Sequence, residues 1–92
     1  MGTEILDELF AVIEDRRDRP KESSYVSGLL ASGRVLEKID EEARELVEAA
    51  QEGEKRAVVH EAADLVFHAM VLLAVKGVKL KEVMEELRRR RR

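Results

Sequence analysis

The sequence predicts an all-α protein, built from helical hairpins that form a four-helix-type bundle completed by dimerisation. Three observations carry this. Apolar residues recur at helical spacing through almost the whole chain of 92 residues, and no segment alternates with the period of a strand. Pro20 and, Gly28 apart, the glycines fall outside the periodic segments, at their ends or between them. One stretch, Ala62 to Val75, is apolar at every position except Asp64 and His68. A helix coated that completely is read as a buried helix. Three short partners from one chain are too few to cover it, so a symmetric second copy is expected.

The elements follow in order. Residues 4–17 place Ile5, Leu6, Leu9, Phe10, Val12 and Ile13 on one helical face, with Thr3 as a cap and acids in the first turn. The only proline, Pro20, breaks the chain. Residues 18–33 are the irregular part, with a short helix predicted after Tyr25 and closed by Gly33. Arg16, Arg19, Ser23, Ser24 and Tyr25 crowd donors into this region. They are read either as an anchored loop or as contacts to a phosphate or base. Residues 34–51 form an amphipathic helix with Leu36, Ile39, Ala43, Leu46, Val47 and Ala50 inward. Gly53 ends it. A helix from Glu54 to Lys76 follows, capped by Gly77, and then a last helix from Leu80 to Arg89. Arg88 to Arg92 read as a basic, disordered tail of a single domain spanning 1–92.

Composition excludes several classes. A net charge of −3 implies no nucleic-acid field. Without cysteine there is neither a disulfide nor a thiolate site. An acidic start and an apolar run shorter than roughly 20 residues argue against a signal peptide and a membrane span. A cytoplasmic protein is expected.

The acids carry the chemistry. Glu41, Glu42 and Glu45 share one flank of their helix, and Glu61, Asp64 and His68 share a stripe of the next. Glu45 and Glu61 each lie eight residues from Gly53. Folding back at that turn brings them to one height, with Glu42 opposite Asp64. Carboxylates gathered so closely cannot all stay ionised without a cation. An all-oxygen set suits Mg²⁺ or Mn²⁺. A di-iron site would need Glu three residues before a histidine, and neither His60 nor His68 has one. The competing readings are a solvated acidic face for the glutamates and a salt bridge for Lys38. His68 is read either as a buried histidine satisfied by another helix or as a group orienting a ligand carboxylate. His60 is read as structural.

Glu41-Glu42-Ala43-Arg44-Glu45 followed by Glu61-Ala62-Ala63-Asp64 resembles the Glu-Glu-x-x-Glu … Glu-x-x-Asp signature of the all-α nucleoside-triphosphate pyrophosphohydrolases. Over nearly its whole length the chain is similar to the phosphoribosyl-ATP pyrophosphohydrolase branch of histidine biosynthesis, through SSYVSGLLASG and DLVFHAMVLL. The resemblance implies Mg²⁺-dependent hydrolysis of 1-(5-phosphoribosyl)-ATP at the α–β anhydride by a homodimer. It implies Glu42, Glu45, Glu61 and Asp64 as metal ligands. Glu41 becomes a further ligand or the group orienting water, and Lys38 a catalytic cation. Asp40 and Phe67 depart from the branch, which usually has Gly and often Tyr at those places. A house-cleaning pyrophosphohydrolase acting on aberrant nucleotides would use the same acids. A helical dimerisation module would use them as a structural network.

Overall fold

The computed structural model describes residues 2–91, and among them the regular structure is entirely α-helical. The helices are α1 (Glu4–Asp18), α2 (Tyr25–Ser32), α3 (Val35–Glu52), α4 (Lys55–Val75) and α5 (Leu80–Arg89). The antiparallel pair α3–α4 is the frame. α1 packs on α4, α2 packs on α1, and α5 is held more loosely. The core is where these meet: Phe10 and Ile13 from α1, Val26 and Leu29 from α2, Val35 from α3, Met70, Val71 and Ala74 from α4, and Leu80 from α5. Ile13 and Val71 are wholly removed from water. Burying each contributes about 1.5–3 kcal/mol.

Backbone chemistry fixes the joints. Gly53 ends α3 with φ 79°, a left-handed conformation that a Cβ disfavours, and its amide donates to the Ala49 carbonyl at 3.1 Å. Glu54 then caps α4, its carboxylate accepting from the Arg56 amide at 3.0 Å. The two-residue joint keeps the arms of the hairpin adjacent. At the other end of α4, Gly77 has φ 70°. Its amide donates to Ala74 at 3.2 Å, and the Val78 amide donates to Leu73 at 2.9 Å. This pair of bonds is a Schellman motif.

Several expectations need correction. Thr3 stands at the start of α1 but makes no side-chain cap; its carbonyl receives the Leu6 amide instead. α4 is not a buried helix within one chain: only His68, Met70, Val71 and Ala74 are buried on it, and Val59, Val66 and Val75 are 60%, 47% and 45% exposed. By length and composition alone it is also apolar enough to cross a membrane, a test that the core helix of a soluble protein passes as well. The arginine run is not wholly a tail. Arg88 and Arg89 are the last residues of α5, and Arg89 and Arg90 pair with Glu86 one turn back. Arg92 lies outside the described residues.

Candidate metal centre and adjoining cleft

The hairpin decides which acids meet. Glu42 and Glu45, on one flank of α3, face Glu61 on α4, and one carboxylate oxygen from each lies within 4.8 Å of the other two. Glu61 also forms a second group, within the same distance, with His60 and Asp64. The His60 Nε2–Asp64 Oδ2 separation is 3.3 Å. Glu42 is buried, at 5% exposure, whereas Glu45 faces solvent and Glu61 and Asp64 lie between.

Electrostatics mark the same place. Burial pushes the Glu42 carboxyl above its usual range; the hydrogen bond and charge of Glu45, then the charge of Asp64, push the same way, and Lys38 opposes them. Burial also raises Glu61, with the Glu45 charge next in size and His60 opposing. Glu42 Oε2 and Glu61 Oε1 are buried atoms with no hydrogen-bond partner among the described residues. An orphaned buried carboxylate oxygen is costly. Two of them aimed at one acidic cluster fit a hard divalent cation held by oxygens. The donor set is therefore compatible with Mg²⁺ or Mn²⁺.

Glu41 is not brought into the cluster. One residue from Glu42, it turns about 100° around the helix and pairs with Lys38 at 3.3 Å and Arg34 at 3.4 Å. Lys38 Nζ sits between Glu41 and Glu42, 3.6 Å from Glu42 Oε1, and the hydrogen bond that it donates to Glu41 raises its pKa. Lys38 also lines a cleft of 330 Å³ between α2 and the start of α3, together with Tyr25, Gly28, Leu29, Ser32 and Arg34.

Of the five residues expected to contact substrate, only Tyr25 lines this cleft. Arg16 and Arg19 are taken up by Asp15 of their own helix, at 2.7 and 2.9 Å. Ser24 caps α2 by accepting the Ser27 amide, and Ser23 lies exposed in the turn before it. Arg17 donates to the Ala74 carbonyl at 2.6 Å and ties α1 to the end of α4.

His68 is the buried histidine satisfied by another helix. Its Nδ1 is 2.7 Å from the Asp64 carbonyl, which can only accept, so Nδ1 carries the proton. Nε2 then accepts from the Tyr25 hydroxyl at 2.9 Å. It touches the backbone of Asp64, not its carboxylate. Sequence reasoning missed Arg34 and set His60 aside as structural. Both were legible at i,i+4 spacing: Arg34 precedes Lys38 by four, and His60 precedes Asp64 by four.

An all-helical hairpin whose two arms bring paired acids together resembles the all-α nucleoside-triphosphate pyrophosphohydrolases. Comparison with known proteins narrows the class. The chain belongs to the phosphoribosyl-ATP pyrophosphohydrolase family, whose sequence model matches residues 6–91. It is 48% identical over 93 residues to the phosphoribosyl-ATP pyrophosphatase of Methanocella arvoryzae, covering 97% of this chain and 98% of that one. The Methanopyrus kandleri protein of the same name is 42% identical over 96 residues, with 97% and 96% covered. That of Clostridium botulinum strain Hall is 39% identical over 89 residues, with 95% and 81% covered.

Proposed function

We propose that this chain is a cytoplasmic enzyme of histidine biosynthesis that hydrolyses 1-(5-phosphoribosyl)-ATP to 1-(5-phosphoribosyl)-AMP and pyrophosphate. Family membership and the near full-length relatives support the substrate. One observation carries the chemistry: carboxylates of Glu42, Glu45 and Glu61 converge within 4.8 Å, and buried oxygens of Glu42 and Glu61 lack partners.

In this reading Glu42, Glu45, Glu61 and Asp64 hold Mg²⁺, with Mn²⁺ as a substitute. Bound there, the ion neutralises phosphate charge and lowers the pKa of water. A water oxygen bonds to the α-phosphorus while the bond from that phosphorus to the α–β bridging oxygen breaks. The bridging electron pair leaves with pyrophosphate, and the water proton passes to a base. Lys38, fixed by Glu41 and next to Glu42, opposes charge growing on the phosphates. Glu41 keeps Lys38 and Arg34 in place, a holding role in preference to ligation.

The working unit is a homodimer. Support comes from exposed Leu36 and Val47 on α3 and Val59 and Val66 on α4, and from a 310 Å³ groove with an apolar lining between α1, α4 and α5. A second copy lying on α4 completes a four-helix bundle. Sedimentation of the purified chain tests this, with a monomer at micromolar concentration ruling it out.

The decisive experiment measures pyrophosphate release from phosphoribosyl-ATP with and without Mg²⁺. Magnesium-dependent turnover of that substrate well above ATP or dITP is the expected result. Rapid turnover of several ordinary or aberrant triphosphates, with none of phosphoribosyl-ATP, moves the function to house-cleaning.

A further inference from the structure

The cleft beside the acidic cluster has a composition that the acids do not explain. Its α2 wall is a single stripe, Tyr25, Gly28, Leu29 and Ser32, at i, i+3, i+4 and i+7. Its α3 wall is cationic, with Arg34 and Lys38 one turn apart. Continuing by the same step reaches Glu42. Arg34, Lys38 and Glu42 therefore form one row, spanning about 12 Å along α3, that runs from cation to acid.

Arg34 is the more loosely held of the two cations, Lys38 being largely covered beside the buried Glu42. Arg34 pairs with Glu37 at 2.7 Å and Glu41 at 3.4 Å, all three side chains being 43–61% exposed. Pairs this wet exchange readily for a better anion. Arginine's planar fork suits phosphate oxygens, and lysine supplies a point charge. Gly28 adds an independent sign. It sits in the middle of α2, where alanine is the better helix former, and a Cβ there meets nothing within 4 Å. Packing does not account for the glycine. Its missing side chain keeps the wall low where the cleft opens.

We propose that this cleft holds the pyrophosphate leaving group, with Arg34 gripping the terminal phosphate and Lys38 the one nearer the acids. The inference rests on the pyrophosphohydrolase reading and extends it to a residue that the acidic signature does not contain. The volume, 330 Å³, is at the lower end of the range of about 300–1,000 Å³ for drug-sized ligands. It accepts one part of a phosphoribosyl-ATP, not the whole. Because the row ends at the acids, the part it would hold is the one next to the phosphate under attack, on the side away from the nucleoside.

Calorimetric titration of the dimer with magnesium pyrophosphate, and separately with phosphoribosyl-AMP, reads this without turnover. Arg34→Gln is expected to weaken pyrophosphate binding tenfold or more and leave phosphoribosyl-AMP binding unchanged, with Arg34→Lys recovering part of the loss. Glu37→Gln, which releases Arg34 from its exposed partner, is expected to tighten pyrophosphate binding at least twofold. Gly28→Ala is expected to raise the melting temperature yet weaken pyrophosphate. Unchanged pyrophosphate binding in Arg34→Gln overturns the proposal. So does loss of phosphoribosyl-AMP binding in its place, which would assign the cleft to the nucleoside side. If the wild-type chain turns over no phosphoribosyl-ATP but the pyrophosphate results hold, the substrate reading fails and the cleft stands.

Discussion

Replacing Glu42 with glutamine separates the two things its carboxylate does. The swap keeps shape and removes charge at the most deeply buried acid of the cluster. With their oxygens within 4.8 Å of each other, full charges on Glu42 and Glu45 repel by about 3.5 kcal/mol or more at an effective dielectric of about 20. Solvent around the exposed Glu45 reduces that figure. Lys38, 3.6 Å away, attracts with about 4.6 kcal/mol on the same footing, but it is shared with Glu41. The charges of Glu45 and Asp64 together outweigh that of Lys38, and desolvation of the buried carboxylate, the largest influence on its pKa, acts in the same direction. A net gain of about 1 kcal/mol for the neutral side chain follows, comparable to relieving one undersatisfied buried polar group. In a domain this size that raises the metal-free melting temperature by about 4–8 °C. With Mg²⁺ the order reverses. At a hundred times its dissociation constant a specific ion adds about 2.7 kcal/mol to the wild type, and Glu42→Gln loses most of that gain along with hydrolysis. Scanning calorimetry in EDTA and in MgCl₂ measures both arms. A lower metal-free melting temperature for Glu42→Gln, or a magnesium shift equal to the wild type's, would refute the metal reading. The acids would then form a structural network.

The same raised carboxyls give a pH dependence. Folded Glu42 and Glu61 keep protons that the unfolded chain has already released near pH 4.5. Metal-free stability therefore falls as pH climbs from about 4.5 through their folded pKa values, and these groups add no further change above; urea midpoints across pH 4–8 in EDTA check the slope, and a rising one contradicts it. Gly53→Ala forces a Cβ into a left-handed residue and is expected to cost about 1–2 kcal/mol in urea unfolding; no loss means that the α3–α4 joint tolerates another turn. Tyr25→Phe removes the donor to His68 Nε2 and is expected to cost about 1 kcal/mol, with a shifted His68 ring nitrogen resonance. An unmoved resonance shows that the pair is not made in solution.

The hairpin was legible because its signals are local. Apolar spacing of 3.6 residues, Gly53 in its turn, and acids at i,i+3 on each arm dictate helices and their facing flanks wherever the rest of the chain goes. Glu42, Glu45 and Glu61 could therefore be matched by counting from Gly53, and the structure brings their oxygens together. The partners of the cationic residues near Tyr25 were not legible for a related reason. Charge density along a sequence does not say which partner a side chain finds. Asp15 takes Arg16 and Arg19, while Arg34, across the α2–α3 joint, lines the cleft.

Sequence alone determined the helices, their caps at Gly53 and Gly77, and the identity of the converging acids. These depend on backbone preference and on periodicity within one or two turns. Only the tertiary structure decided how much of α4 one chain covers, that Glu41 faces Lys38 and Arg34 and not the cluster, that His68 meets Tyr25 forty-three residues away, and that α2 and α3 enclose a cleft. Each of those depends on the angle at which separate helices pack. That angle is set by the summed burial of many side chains, which no short window of sequence contains.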